Sequence, residues 1–356
     1  MKMVIGIGSI VIALVVLLFA HYLPQSEARA EGRFEGGEFN SGRSNAVLGK
    51  PYYSISLESN LCMGYFLLNG QLLHTAEMTP VRFDVPVNHW MRKGENQLVM
   101  MLAPVDEQGN LGKFSRNMKC TMTLRVRESG SNSGENVTIA ALTFVAKDPT
   151  GIKSNTPEQR LDSKNGYTPA KNGDVLVGKA KKEPFQDVGA IVTRSITLPE
   201  IGLPEWKFFT SDNITNLSGV DIESRLDEET SNKLKKELLP IYRKIWSALE
   251  TRKVEDVLPL FEERNSETDA AFFKKPGETG NMLAKELRDG ASDPKKKLWP
   301  ITDDNVVIQL YDNNKLVRLS QNNGKPLLSF DDVANHLAYH YDVIFRKSGN
   351  EWIITR

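Results

Sequence analysis

Hydrophobic and polar positions follow three successive patterns along the chain. The first is an unbroken apolar run. Val4 to Ala20 holds no charged residue, and Met3 to Leu23 is interrupted only by His21 and Tyr22. Such a run is long enough to cross a bilayer as a helix, with ring residues suited to the membrane interface. It also fits a secretory signal, because Ala28-Arg29-Ala30 supplies small residues at a cleavage site before Glu31. An uncleaved anchor and a removed signal both remain open. Both place the rest of the chain outside the cytoplasm, and a periplasmic protein anchored in the inner membrane through residues 3–23 is the expectation.

The second pattern is short alternating runs separated by turn residues. After a Gly-, Ser- and Asn-rich spacer at 31–50, strand signals appear at 52–57, 62–68, 71–76, 81–85, 97–102, 119–127 and 137–147. Asn69-Gly70 is a two-residue loop of the kind that closes a hairpin through positive φ. Residues 148–187 are polar with little periodicity, and read as a long excursion or a mobile segment. Gly189 to Leu198 returns to strand character, and Pro199 and Pro204 punctuate a boundary. Many short strands at this spacing predict a β-sandwich over residues 51–204.

The third pattern begins after Asp227. Leu234, Leu238, Ile241, Ile245 and Leu249 recur at helical spacing, with Tyr242 and Trp246 widening the stripe. Pro240 inside that pattern predicts a kink or a restart. A second helix is expected over 254–264 and a short one opening at Ser266, whose spacing to Asp269 resembles a capping box. A helical fragment follows at 282–287. Strands are then expected at 306–311, 316–320, 327–330, 339–346 and 352–354. Helices followed by an antiparallel meander make an α+β domain over 205–356.

Composition adds bounds rather than chemistry. Lys plus Arg and Asp plus Glu both number 45, so the chain offers no electrostatic footprint for nucleic acid. The two cysteines, Cys62 and Cys120, are expected to pair in an oxidising compartment. The sequence shows no nucleophile elbow, P-loop, dinucleotide fingerprint or HExxH zinc motif. His336 and His340 have a spacing that could ligate zinc on a helix, but His340 falls in a strand pattern, and no metal or cofactor is expected. Glu262, Glu263, Arg264 and Glu267, with Asp269, form the densest charged cluster. It reads as a solvated helix end, as an anchor for a protein partner, or as an acid–base pair.

The run LLNGQLLHTAEMTPVRFDVPVNHWMRKGENQLVMMLAP resembles galactose-binding-like sandwiches that accompany many glycosidases. Its shared features, the LNG hairpin, the FDV strand and the GEN turn, are structural, so the resemblance implies a fold and not sugar binding. His89-Trp90 beside that turn reads as a packed turn rather than a sugar platform. The layout after residue 205 is similar to the NTF2-like and cystatin-like families, in which a long helix lies across a curved sheet. The segments PEWKFF, IYRKIWSAL, LFEERNSE and FRKSGNEWIITR resemble exported bacterial proteins among the periplasmic immunity proteins that act against type VI secretion effectors. That resemblance implies a non-enzymatic protein that binds and neutralises a toxin. The resemblance carries over no toxin-contacting residue; the charged cluster itself supplies Glu262, Glu263, Arg264 and Glu267 as the partner-binding candidates. A carbohydrate- or envelope-binding accessory role for the sandwich is the alternative, and a hydrolase in the α+β domain is a third reading.

Overall fold

The computed structural model describes residues 48–146, 159–161, 175–185, 189–215, 226–311, 314–322, 324–332, 335 and 337–356. The expected anchor or signal at 1–30, nearly all of the spacer, much of 148–187, and His336 lie outside the described residues. Among those described, no helix is long and apolar enough to cross a membrane. Residues Asn45–Arg356 form one compact unit, a β-rich region followed by an α+β region.

The β-rich region contains β1 (Pro51–Asn60), β2 (Met63–Leu68), β3 (Gln71–Glu77), β4 (Val81–Pro86), β5 (Gly94–Leu102), β6 (Lys119–Glu128), β7 (Val137–Val145), β8 (Gln159–Leu161), β9 (Val175–Val177), β10 (Lys181–Phe185) and β11 (Gly189–Leu198). They form two antiparallel sheets. One runs β4-β1-β6-β7; the other runs β3-β2-β5-β11-β9-β8, with β10 also paired to β11. The excursion expected at 148–187 therefore contributes three strands to the second sheet. Alternation explains the packing. Tyr53, Ile55 and Leu57 of β1 and Met122, Leu124 and Val126 of β6 share one buried cluster with Phe66, Leu98, Met100, Val192 and Ile196 of the opposite sheet. The arrangement is sandwich-like.

Local details follow the chemistry of the turns. Asn69 (φ 54°) and Gly70 (φ 81°) both adopt positive φ, which matches the twist of the flanking strands. Gly64 (φ 150°) lies so close to β5 that a Cβ there would run into the Met101 carbonyl oxygen. Cys62, between β1 and β2, is bonded to Cys120 at the start of β6, with their Cα atoms 6.2 Å apart. One inward position of β11 is polar. Buried Arg194 donates from Nε to the Gly178 carbonyl at 2.9 Å and from Nη1 to the Ala141 carbonyl at 2.6 Å, which compensates its desolvation.

The α+β region contains α1 (Glu228–Glu250), α2 (Glu262–Ala271), α3 (Glu278–Ser292), β12 (Lys296–Leu298), β13 (Val306–Tyr311), β14 (Leu316–Gln321), β15 (Leu328–Asp332), β16 (Leu337–Tyr341), β17 (Phe345–Ser348) and β18 (Glu351–Ile354). Its sheets run β12-β15-β16 and β13-β14-β17-β18, all antiparallel. α1 starts at Asp227, whose carboxylate accepts from Thr230 N at 2.7 Å. It runs through Pro240 without interruption, against the kink or restart expected. Pro240 and Lys236, the residue whose carbonyl loses its partner, are both exposed, so that carbonyl is open to solvent rather than stranded in the core. The buried Tyr242 hydroxyl fastens α1 to the sheet. It donates to the Val343 carbonyl at 2.7 Å and accepts from Leu319 N at 3.1 Å.

Three expectations need correction. The segment expected as a helix over 254–264 is two 3-10 turns, Val254–Asp256 and Leu258–Phe261, and α2 begins only at Glu262. Pro259 accounts for the break in α-helical bonding. Ser266 does not open a helix but lies inside α2. The run 339–346 is not one strand. It ends as β16, leaves the sheet at Asp342, and resumes as β17 in the neighbouring sheet. Burial changes at the junction, with residues 339–342 exposed or half-buried and residues 343–346 all buried.

Candidate functional site

Helical geometry sorts the charged cluster of α2 onto separate faces. Glu263 and Glu267 are four residues apart and share one. Glu263 receives a two-pronged contact from Arg346 on β17, Nε to Oε1 and Nη2 to Oε2, both at 2.6 Å, and Lys207 Nζ adds 3.2 Å. Burial alone would raise the Glu263 carboxyl, but the Arg346 hydrogen bonds and charge, helped by Lys207, hold it below the ordinary value of 4.5. Glu267 Oε1 accepts from Lys207 N at 2.9 Å and Oε2 pairs with Arg356 Nη1 at 2.5 Å. Glu262 is exposed. Asp269, at the far end, accepts from Gly277 N at 2.7 Å and Thr279 N at 2.8 Å, thereby capping α3. Two of the four partner candidates thus hold the fold together, one faces solvent, and Arg264 takes a different direction.

The surface that Glu267 and Arg356 join is the contact between the two regions. The Arg356 guanidinium lies 4.5 Å from the ring of Phe208, 5.2 Å from Trp90 and 5.6 Å from Trp206. It also donates to the His89 carbonyl at 3.0 Å and 3.2 Å. Asn88 completes the joint. Its Oδ1 accepts from Tyr53 N at 2.6 Å, its Nδ2 donates to the Pro51 carbonyl at 2.9 Å and the Ala271 carbonyl at 2.6 Å, and its own carbonyl accepts from Trp206 Nε1 at 3.1 Å. His89 stays neutral, because burial, then the Arg356 and Arg264 charges, push it well below its usual value. Trp90 is 8 % exposed and packs edge-on to Phe208, so it presents no ring platform at the surface.

Arg264 points instead into a cavity of about 320 Å³ enclosed by α1, α2, α3, β15 and β16. Buried Ile245, Phe261, Leu283, Leu287 and Leu328 form its apolar floor. Arg264 stands on the wall, Arg356 also lines the cavity while paired with Glu267, and exposed Glu286, His340 and Asp342 mark the rim. The Arg264 guanidinium gives one hydrogen bond, to Asn265 Oδ1 at 3.0 Å. No carboxylate among the described residues comes within ion-pair distance of it. Burial pushes it below its ordinary value, and the charges of Glu286 and Asp342 act the other way. Asp342 is engaged with Arg318. A second depression, about 450 Å³, is an apolar groove between α1 and β18 lined by Ile241, Leu260, Trp352 and Ile354.

One arrangement on the rim has the composition of a nucleophile and base. Ser329 Oγ and His340 Nδ1 are 2.8 Å apart across the β15–β16 pair. Ser329 has no exposed surface, and its hydroxyl donates to the Pro326 carbonyl at 2.9 Å. Its single proton is thus committed, so the imidazole must donate from Nδ1. The Ser329 hydroxyl is buried beneath the exposed His340 ring and ties β15 to β16. Among the described residues no group of three or more His, Cys, Asp or Glu is placed to hold a metal ion.

Past the cavity, β16 is an edge strand among the described residues. Leu337, Tyr339 and Tyr341 share one of its faces. Leu337 is 46 % and Tyr339 38 % exposed, and Tyr341 forms part of the cavity wall. Sequence reasoning found the α2 cluster but missed Asn88, Trp206, Arg356, the cavity and the β16 edge. The ion partners of Glu263 and Glu267 lie 83 and 89 residues away, beyond any local pattern. No protein family, curated protein or solved structure matches the chain.

Proposed function

We infer that the chain is a non-catalytic binding protein that captures a protein partner, and that it serves as a periplasmic immunity protein neutralising a secreted bacterial toxin. In this reading residues 3–23 tether it to the inner membrane or direct its export. The sandwich is of the galactose-binding-like kind, and the α+β region is an NTF2-like or cystatin-like layer that presents the binding edge. The observation carrying the proposal is the edge of β16, unpaired among the described residues, with Leu337 and Tyr339 exposed on one face. An edge strand offers a row of backbone donors and acceptors, and an extended segment of a partner can pair with it while its alternate side chains cover the apolar stripe. Natural proteins protect such edges with charge, bulges or covering elements. Here the side chain of Lys296, 4.3 Å from the Tyr339 ring, leaves Leu337 uncovered.

The test uses the full chain, tagged, beside its L337D and Y339K variants. Wild type should retain one stoichiometric protein that is toxic when produced alone, and co-production should restore growth. Both variants should lose capture and protection while melting at the wild-type temperature. Equal capture by wild type and variants, or capture of a protein whose toxicity the chain does not relieve, overturns the reading.

A further inference from the structure

We propose that the cavity beside Arg264 is a binding site for a small monoanion consisting of a carboxylate on an apolar stem. The site borders β16 through His340 and Tyr341 but does not use Leu337 or Tyr339, and it stands whether or not that edge takes a partner.

Three features of the cavity select this chemistry. The first is the cation. A guanidinium carries a planar fork of N–H donors matched to a carboxylate. Arg264 uses one of its nitrogens on Asn265 and has no carboxylate within 4 Å among the described residues. The other arginines of this region that are not exposed, Arg318, Arg346 and Arg356, are paired with Asp342, Glu263 and Glu267 respectively. A partly desolvated cation without an ion partner differs from its neighbours, and an incoming carboxylate would supply what they already have.

The second is the floor. Ile245, Phe261, Leu287 and Leu328 are all nearly or fully buried and offer no hydrogen bond from their side chains. A bare inorganic anion would leave this surface unused, whereas a short hydrocarbon would cover it. At about 320 Å³ the space lies at the small end of ligand pockets, which run from roughly 300 to 1,000 Å³.

The third is the rim. Glu286 and Asp342 place negative charge close enough to act on Arg264. Arg356 also lines the cavity, but its charge is already met by Glu267, so Glu286 and Asp342 oppose a second negative charge on the ligand and a dianion such as phosphate is disfavoured relative to a monocarboxylate. Exposed Glu286 is screened by water, so it weakens a single charge without excluding it.

The probes are hexanoate, its uncharged isostere hexanamide, and inorganic phosphate. Binding to the full chain is followed through the Arg Nε–H resonances of ¹⁵N-arginine-labelled protein. Hexanoate should shift the Arg264 resonance saturably and leave Arg194 unmoved. Hexanamide and phosphate should each bind about tenfold more weakly or not at all. R264Q should abolish the hexanoate effect on the melting temperature. E286Q changes an exposed side chain with no role in packing, and it should tighten hexanoate several-fold. The proposal is overturned if no Arg264 shift saturates, if hexanamide binds as well as hexanoate, or if phosphate binds better. It is equally overturned if a folded E286Q protein shows unchanged affinity. None of these readouts involves the β16 partner, so failure here leaves the immunity reading intact and the reverse also holds.

Discussion

Glu267 and Arg356, 89 residues apart in the chain, meet at 2.5 Å where the sandwich-like sheets contact α2. Their side chains are 10 % and 3 % exposed. The guanidinium is flanked by Trp90, Trp206 and Phe208 on its faces and by the His89 carbonyl at its edge. Removing one member of a buried pair strands the other charge, which typically costs about 3–5 kcal/mol. We expect E267Q to lower unfolding stability by that order in urea titrations. The double variant E267L/R356M should recover much of the loss, because no unpaired charge is then left inside.

Acid should weaken the fold through Glu263 and Asp269. Burial raises both carboxyls, but Arg346 and Lys207 outweigh it at Glu263, and the Thr279 and Gly277 hydrogen bonds outweigh it at Asp269, so both titrate below their ordinary values of 4.5 and 3.8. A depressed folded-state value stabilises fully above the unfolded value and is lost as pH falls through the folded one. The urea midpoint should therefore hold from neutral pH down to about pH 5 and then decline with further acidification. In E263Q the decline should be shallower, from a lower starting stability.

Reducing the Cys62–Cys120 bond frees a loop spanning 58 positions. The chain-entropy relation gives roughly 4 kcal/mol for a loop of this size, and native disulfides commonly contribute about 2–5 kcal/mol. C62A/C120A should unfold at correspondingly lower denaturant, with its m-value altered as well because the unfolded chain becomes more expanded. An unchanged midpoint would mean that the bond adds nothing to the sandwich.

Asn88 is fully buried, and its side chain alone satisfies three backbone groups, on Pro51, Tyr53 and Ala271. Each buried group left without a partner costs about 1–3 kcal/mol, so N88A should lose at least ~3 kcal/mol. N88D should be no better. It restores the acceptor for Tyr53 N but turns a second carboxylate oxygen toward the Pro51 and Ala271 carbonyls. Comparing the two variants by thermal unfolding separates the loss of donors from the loss of volume.

β1 and β6 were legible because each buries one face: the alternation in Tyr53-Ile55-Leu57 and Met122-Leu124-Val126 is the sandwich itself. The α1 stripe was legible for the same reason, and Pro240 misled only because sequence does not say that its turn faces water. The three short strands within 148–187 escaped because a strand of three to five residues carries too few alternations to rise above polar composition. The α2 charges were visible as a cluster, yet their roles depend on Arg346, Arg356, Lys207 and Thr279, brought in from other elements. Ser266 and Asp269 show the limit well. Their three-residue spacing fits a capping box, but the cap is made by Asp269 for the helix that follows.

The side chain of Asn88 has a bearing on how such a protein can change over evolutionary time. One amide joins the opening of β1 to the last turn of α2, which lies 183 residues beyond Asn88 itself. Recombination that replaced either region by an unrelated one would leave this amide facing an empty socket, together with the ring-lined bed of Arg356. The two regions must therefore be inherited as a pair. Substitutions that the fold tolerates are then channelled to surfaces that the joint does not use, of which the β16 edge is one.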